Sequence, residues 1–253
     1  MPRFASFDGT EISYCDEGSG PVVLLLHGAF VDTSLNWQLS GVVNCLTESG
    51  FRVVGADARG HGASGKPHDA LAYADGALVK DAVSLIDHLD VGRVALVGYS
   101  MGADTAVRTA SADDRVAALA IGGAGAEGPD EYDAAEVAFA IRNETTSEPV
   151  SELSATLATL AHSMGGDVAA YAALFEGEAM SPSNPPRYSA VSCPTLVVTG
   201  ECDDMAIGGA ERLASEFPTG EALSIPGQDH LGAVFDPLFS EALIEFLQRR
   251  YGL

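Results

Sequence analysis

Five consecutive apolar residues, at 22–26, stand between Pro21 and a polar loop that starts at His27. An apolar run without polar alternation fits a strand buried on both faces, as in the middle of a parallel sheet. Similar runs recur at 51–56, 94–97, 116–121, 195–199 and 222–225. Between them the period turns helical. Leu78, Ala82, Leu85, Ile86 and Leu89 share one face of a helix, as do Phe239, Leu243, Phe246 and Leu247 near the end of the chain. Asp236-Pro237 opens that last helix as N-cap and first residue. Residues 32–48 read as one helix with Leu35, Leu39, Val42, Val43 and Leu46 on its inner side, stopped by Gly50. Residues 4–14 alternate loosely about Asp8-Gly9 and read as an edge hairpin.

The alternation of strand and helix lapses between Glu127 and Tyr188, where no strand-like run occurs. Leu153, Leu157, Leu160 and Ala161 fit one helix face there, Tyr171, Leu174 and Phe175 another, and residues 181–186 close the segment as a loop. The pattern predicts an α/β fold: a mostly parallel central sheet with helices on both faces. Residues 1–126 and 189–253 form its core, and 127–188 a helical lid insert over one edge of the sheet.

Composition narrows the function. The chain has 253 residues, 47% of them hydrophobic, enough for a sizeable core, and a formal net charge of -23. Nucleic acid needs a basic face, and so do anionic membrane surfaces, so both are excluded as partners. Only two lysines occur, Lys66 and Lys80, which suits a protein that stays soluble in strong salt. No apolar run, the one at 22–26 included, is long enough to cross a bilayer, and the first nine residues hold no signal-peptide core. The expectation is a soluble, cytoplasmic protein. Cys15, Cys45, Cys193 and Cys202 form no C-x-x-C pair and stand apart from any histidine cluster, so neither a zinc site nor a disulfide framework is expected. No metal or organic cofactor is implied. The partner is a small-molecule substrate, and the sequence leaves the oligomeric state open.

Candidate chemistry centres on Gly98-Tyr99-Ser100-Met101-Gly102, set between the run at 94–97 and a small, helical stretch at 103–110. This is the G-x-S-x-G nucleophile elbow. A serine that attacks a carbonyl must stand proud of its backbone on a tight strand-to-helix turn, and that turn crowds the positions flanking it. In a parallel sheet, ligands bind outside the carboxyl ends of the strands. His27-Gly28-Ala29, Ser100, residues 200–203 and residues 227–230 all fall at that edge. Ser100 needs a base. Of six histidines, His88 sits on an amphipathic helix surface, His68 in a polar loop, and His61 in an Arg59-Gly60-His61-Gly62 loop. His162 lies in the insert. His230 follows a strand at the correct edge, ahead of the last helix, and is the expected base.

Together these pieces resemble the α/β-hydrolase superfamily, in particular its serine-nucleophile esterase- and lipase-like members. The matching pieces are His27-Gly28, the loop Asp57-x-Arg59-Gly60-x-Gly62-x-Ser64, the elbow at Ser100, Gly200-x-x-Asp203 and the late His230, in the order and roughly the spacing of the family. The resemblance implies that Asp203, rather than neighbouring Asp204 or Asp229, orients His230. Some members place this acid after the earlier strand, but here that site reads Gly122-Gly123-Ala124-Gly125. It implies backbone amides of Met101 and Ala29 for the oxyanion hole, with Phe30 as the alternative to Ala29, and His27 as a prop for the early loop. Asp57, Arg59 and Ser64 are expected to hold loops together, Asp57 with Arg59 as a pair, and Cys202 and Trp37 to pack in the interior.

Serine at the elbow disfavours epoxide hydrolases and haloalkane dehalogenases, which use aspartate there. Carbon–carbon bond hydrolases tend to carry a tryptophan soon after the histidine, where this chain has Leu231-Gly232-Ala233-Val234. Cofactor-free haloperoxidase-like members usually carry an aromatic residue where this chain has Ala29. A hydrolase of carboxylic esters, thioesters or lactones remains. Only Arg142 and Arg187 are cations in 127–188, and alanine is abundant, so neutral substrates and an apolar acyl pocket are expected. The alternatives are a carbon–carbon bond hydrolase, a perhydrolase, or a non-catalytic small-molecule receptor on the same fold.

Overall fold

A computed structural model describes residues 1–126, 132–143, 150–181 and 186–252. Among these, eight strands form one sheet in the order β1-β2-β4-β3-β5-β6-β7-β8. β1 (Arg3–Ala5) and β2 (Glu11–Gly18) form the antiparallel edge hairpin, and β2 lies antiparallel to β4 (Arg52–Ala56). The rest is parallel: β3 (Val22–Leu26) between β4 and β5 (Val94–Tyr99), then β6 (Val116–Gly122), β7 (Thr195–Gly200) and β8 (Gly220–Ile225). Helices α1 (Val42–Glu48), α2 (Ala77–His88) and α3 (Met101–Ala112) intervene among the first strands. Three more, α4 (Ala134–Arg142), α5 (Glu152–Ser163) and α6 (Val168–Met180), separate β6 from β7. α7 (Gly209–Ala214) follows β7, and α8 (Pro237–Arg250) follows β8.

Successive side chains of a strand point to opposite faces, so each buried strand feeds two cores. Leu24 and Leu26 of β3 pack with Leu85 and Ile86 of α2 and Ala103 and Ala106 of α3. Val23 and Leu25 point the other way, toward Val43 and Leu46 of α1 and Phe239, Leu243 and Phe246 of α8. The inner faces of α4, α5 and α6 form a third cluster, which closes on Phe30 and Tyr73 of the core and reaches Ala29 and Met101. No strand occurs among the described residues of 127–188; residues 127–131 and most of the expected closing loop, 182–185, lie outside the described residues. Among the described residues no helix is long and apolar enough to cross a membrane.

The single helix expected at 32–48 is broken. Ser34–Gln38 is one wide turn, closed by the Leu39 amide on the Ser34 carbonyl, and Gly41, at φ 81°, separates it from α1. The wide turn rotates the inward face. Leu39 is 70% exposed and Leu35 faces solvent, while Trp37 is fully buried against Tyr99 and Phe239. The short α7 carries no readable periodicity and was not expected; glycines with positive φ, Gly208 and Gly209, frame its start.

Candidate active site

Ser100 joins β5 to α3 at φ 52°, ψ -118°, a conformation that residues other than glycine seldom adopt. Its amide donates to the Gly122 carbonyl of β6, and its carbonyl accepts the Ala103 amide, so the strained turn is held from both sides. A Cβ on Gly98 would run into the backbone of Gly102 and Ala103, and one on Gly102 into the carbonyls of Leu26 and His27. Close backbone approach therefore requires both glycines of the elbow.

The loops after β7 and β8 bring two more expected residues to Ser100. His230 Nε2 lies 3.2 Å from Ser100 Oγ, and His230 Nδ1 lies 3.0 Å from both carboxylate oxygens of Asp203. A carboxylate only accepts, so Nδ1 carries the proton and Nε2 turns its lone pair to the serine hydroxyl. The Asp203 side chain is wholly shielded from solvent and also accepts the amides of Met205 and Ala206. Asp204 is exposed, and Asp229 turns back onto the amides of Leu231 and Gly232. Tyr99, which the sequence reading passed over, donates from its hydroxyl to the His230 carbonyl at 2.7 Å. Its ring needs room that Gly122 and Gly123 leave, since a Cβ on either would press on it. That glycine pair, one strand over from the elbow, was the available signal.

The loop after β3 is gripped amide by amide. The Gly28 N–H donates to Asn36 Oδ1 at 2.9 Å, a bond delivered by the broken helix. His27 Nε2 accepts the Ala58 amide, so its Nδ1–H donates to the Gly28 carbonyl at 2.7 Å. The Phe30 amide donates to His61 Nε2 at 3.2 Å, and His61 Nδ1–H in turn donates to the Arg59 carbonyl. Phe30 is thus committed elsewhere. The amides of Ala29 and Met101 have no acceptor among the described residues. In a trans peptide the N–H points opposite the carbonyl, so the grip of His27 on the Gly28 carbonyl aims the Ala29 amide. Both buried histidines must stay neutral to accept these amides. Burial lowers the pKa of His27, and burial together with neighbouring His27 pulls that of His61 down to about 3.

Other expected residues fall outside this constellation. His162 Nε2, on α5, bonds the Ile141 carbonyl of α4, and His88 is exposed. Asp57 and Arg59 do not pair with each other. Asp57 caps the amides of Thr33 and Ala63, while fully buried Arg59 binds Asp81 and Asp8. Both still tie loops together. Cys202, expected inside, is exposed, because the turn that buries Asp203 points its neighbour outward. Among the described residues no group of three or more His, Cys, Asp or Glu is arranged to hold a metal ion. An open groove of about 670 Å³ runs between the loop after β3 and the turn joining α5 to α6, lined by Phe30, Asp32, Lys66, Gly166 and Tyr171 among others.

Residues 21–150, which carry β3 to β6 with the elbow, match the family model described as alpha/beta hydrolase fold. The chain belongs to this family. Among curated proteins, a non-heme haloperoxidase of Rhodococcus erythropolis is 37% identical over 111 residues, 43% of this chain and 38% of that protein. The alignments to it and to the first curated relative cover well under half the length of those proteins. Likeness to solved structures extends over nearly the whole chain. The enol-lactonase of Burkholderia xenovorans LB400 superposes with a TM-score of 0.78 at 23% identity, covering 98% of this chain and 100% of that one. A thermophilic esterase of Thermogutta terrifontis gives 0.75 at 26% identity, covering 98% of each chain.

Proposed function

We infer that the protein is a serine hydrolase of small, mostly neutral carboxylic esters, thioesters or lactones. The observation that carries this reading is the unbroken relay Ser100 Oγ–His230 Nε2, His230 Nδ1–Asp203, with both contacts at hydrogen-bond distance. His230 takes the proton of Ser100 as its oxygen attacks the substrate carbonyl, and Asp203 stabilises the imidazolium. The tetrahedral oxyanion sits between the free amides of Ala29 and Met101. Collapse expels the alcohol, protonated by His230, and leaves an acyl group on Ser100. Water, deprotonated by His230, then attacks the acyl carbon and frees the acid. The insert of α4, α5 and α6 acts as a lid whose apolar inner face, which reaches Ala29 and Met101, covers the acyl group. A net charge of -23 disfavours anionic substrates.

The stretch shared with the haloperoxidase supports a second reading, in which hydrogen peroxide replaces water in the last step and the acyl group leaves as a peracid. Purified protein is assayed on p-nitrophenyl acetate and butyrate, with and without hydrogen peroxide. Sustained turnover that disappears in Ser100→Ala supports the hydrolase. Peracid formation in the peroxide arm supports the second reading. Substrate binding without turnover points instead to a receptor.

A further inference from the structure

We propose that His61, buried in the core, and Tyr171, carried by the helical insert, are positioning residues for the oxyanion donor at Ala29, which they aim through the backbone of Phe30. The inference rests on the serine-hydrolase reading and adds a link between the insert and the reaction centre.

Phe30 is one of four described non-glycine residues with positive φ, at 65°. A phenylalanine remains in that region only where its surroundings hold it there. Both polar groups of Phe30 are held. Its N–H meets His61 Nε2 at 3.2 Å, and its carbonyl meets the Tyr171 hydroxyl at 3.3 Å. The second contact is long for a hydroxyl donor, and ring packing reinforces it. The Phe30 ring lies edge-on to Tyr171 at 5.2 Å and beside Phe175 at 5.7 Å, and Tyr171 packs on the His61 ring at 4.9 Å. The peptide joining Ala29 to Phe30 is planar, so fixing the Phe30 amide fixes the far side of Ala29. His27 fixes the near side through the Gly28 carbonyl. Relaxation of Phe30 to an ordinary conformation would turn the Ala29 amide away from the oxyanion.

Tyr171 is itself placed with care. Asp167 caps α6 by accepting the Ala170 amide and also meets His68 Nε2 at 3.0 Å, which ties the first turn of α6 to the core. Gly166 leaves the space that the Tyr171 hydroxyl occupies, since a Cβ there would overlap it. The consequence is that the seating of α6 and the readiness of the oxyanion hole are one event.

The test compares the full-length wild type with Tyr171→Phe, Tyr171→Leu, His61→Ala, His61→Gln and Ser100→Ala on p-nitrophenyl butyrate. Thermal midpoints and the inhibition constant of an aliphatic trifluoromethyl ketone, whose Ser100 adduct carries an oxyanion, are measured alongside. Losing an oxyanion donor outright costs about 10²–10³ in kcat, and misaiming one costs less. The expected result is a fall in kcat of about threefold to tenfold for Tyr171→Phe and about 10–100-fold for Tyr171→Leu, with KM within about twofold. Ketone affinity falls in the same proportion as kcat/KM. His61→Gln, which retains an acceptor for the Phe30 amide, recovers most of what His61→Ala loses. Unchanged kcat and ketone affinity in both Tyr171 variants, with only the thermal midpoint lowered, overturns the proposal even if His61→Ala fails to fold. Hydrolysis that persists in Ser100→Ala overturns the parent reading, and this one falls with it.

Discussion

Asp203 has both its oxygens engaged inside the protein, on His230 and on the amides of Met205 and Ala206. Replacing it with asparagine keeps the shape but removes the charge and, with the amide oxygen held by the Met205 and Ala206 N–H groups, turns an NH2 donor toward His230 Nδ1, which disfavours the proton there. The expected loss in kcat at neutral pH is about 10³–10⁴-fold, by analogy with triads of this type, read from p-nitrophenyl butyrate hydrolysis. Gly102→Ala tests the elbow differently. The added methyl meets two carbonyls of the neighbouring backbone, and the fold should lose about 1–3 kcal/mol in denaturant unfolding. Residues of this kind were unequally legible. Ser100 could be read because strand, glycine spacing and helix all constrain it together. Asp203 could not be told from Asp204 by spacing, since one residue of shift in a loop leaves no periodic trace. Asn36 acts through one hydrogen bond to the Gly28 amide, which nothing in a linear pattern announces, and Tyr99 left only the indirect trace of the Gly122-Gly123 pair that makes room for its ring.

At the scale of elements, the central strands β3 to β7 were legible because burial on both faces leaves a mostly apolar run. The turn at Ser34–Gln38 was not, because Leu35 and Leu39 mimic an amphipathic helix while Trp37 takes the core. The loop after β3 carries a prediction of its own. His61 has a folded pKa of about 3 against an ordinary 6.5, so the unfolded chain binds the extra proton between those values. Its contribution to stability is complete above 6.5 and is lost as the pH falls toward 3. Wild type is compared with His61→Gln, which cancels the background of other titrating groups. The wild-type unfolding free energy should drop relative to the variant by about 2 kcal/mol between about pH 7 and about pH 5. A difference independent of pH contradicts a neutral, buried His61.

For the molecule as a whole, 36 acidic residues against 13 lysines and arginines leave a strongly self-repelling surface. Salt screens such repulsion within a Debye length of about 10 Å at 0.1 M. The thermal midpoint should therefore rise as KCl increases from about 0.1 M to about 2 M, and a flat or falling curve contradicts this. The sheet brings together four loops, after β3, β5, β7 and β8, that lie far apart along the chain, and the central claim is that they form one nucleophilic centre. Intact-mass analysis after treatment with a fluorophosphonate, followed by peptide mapping, tests it most directly. One adduct per chain on Ser100, absent from Ser100→Ala and strongly slowed in His230→Ala, is the predicted result. No adduct, or an adduct that maps to another residue and survives in Ser100→Ala, contradicts it.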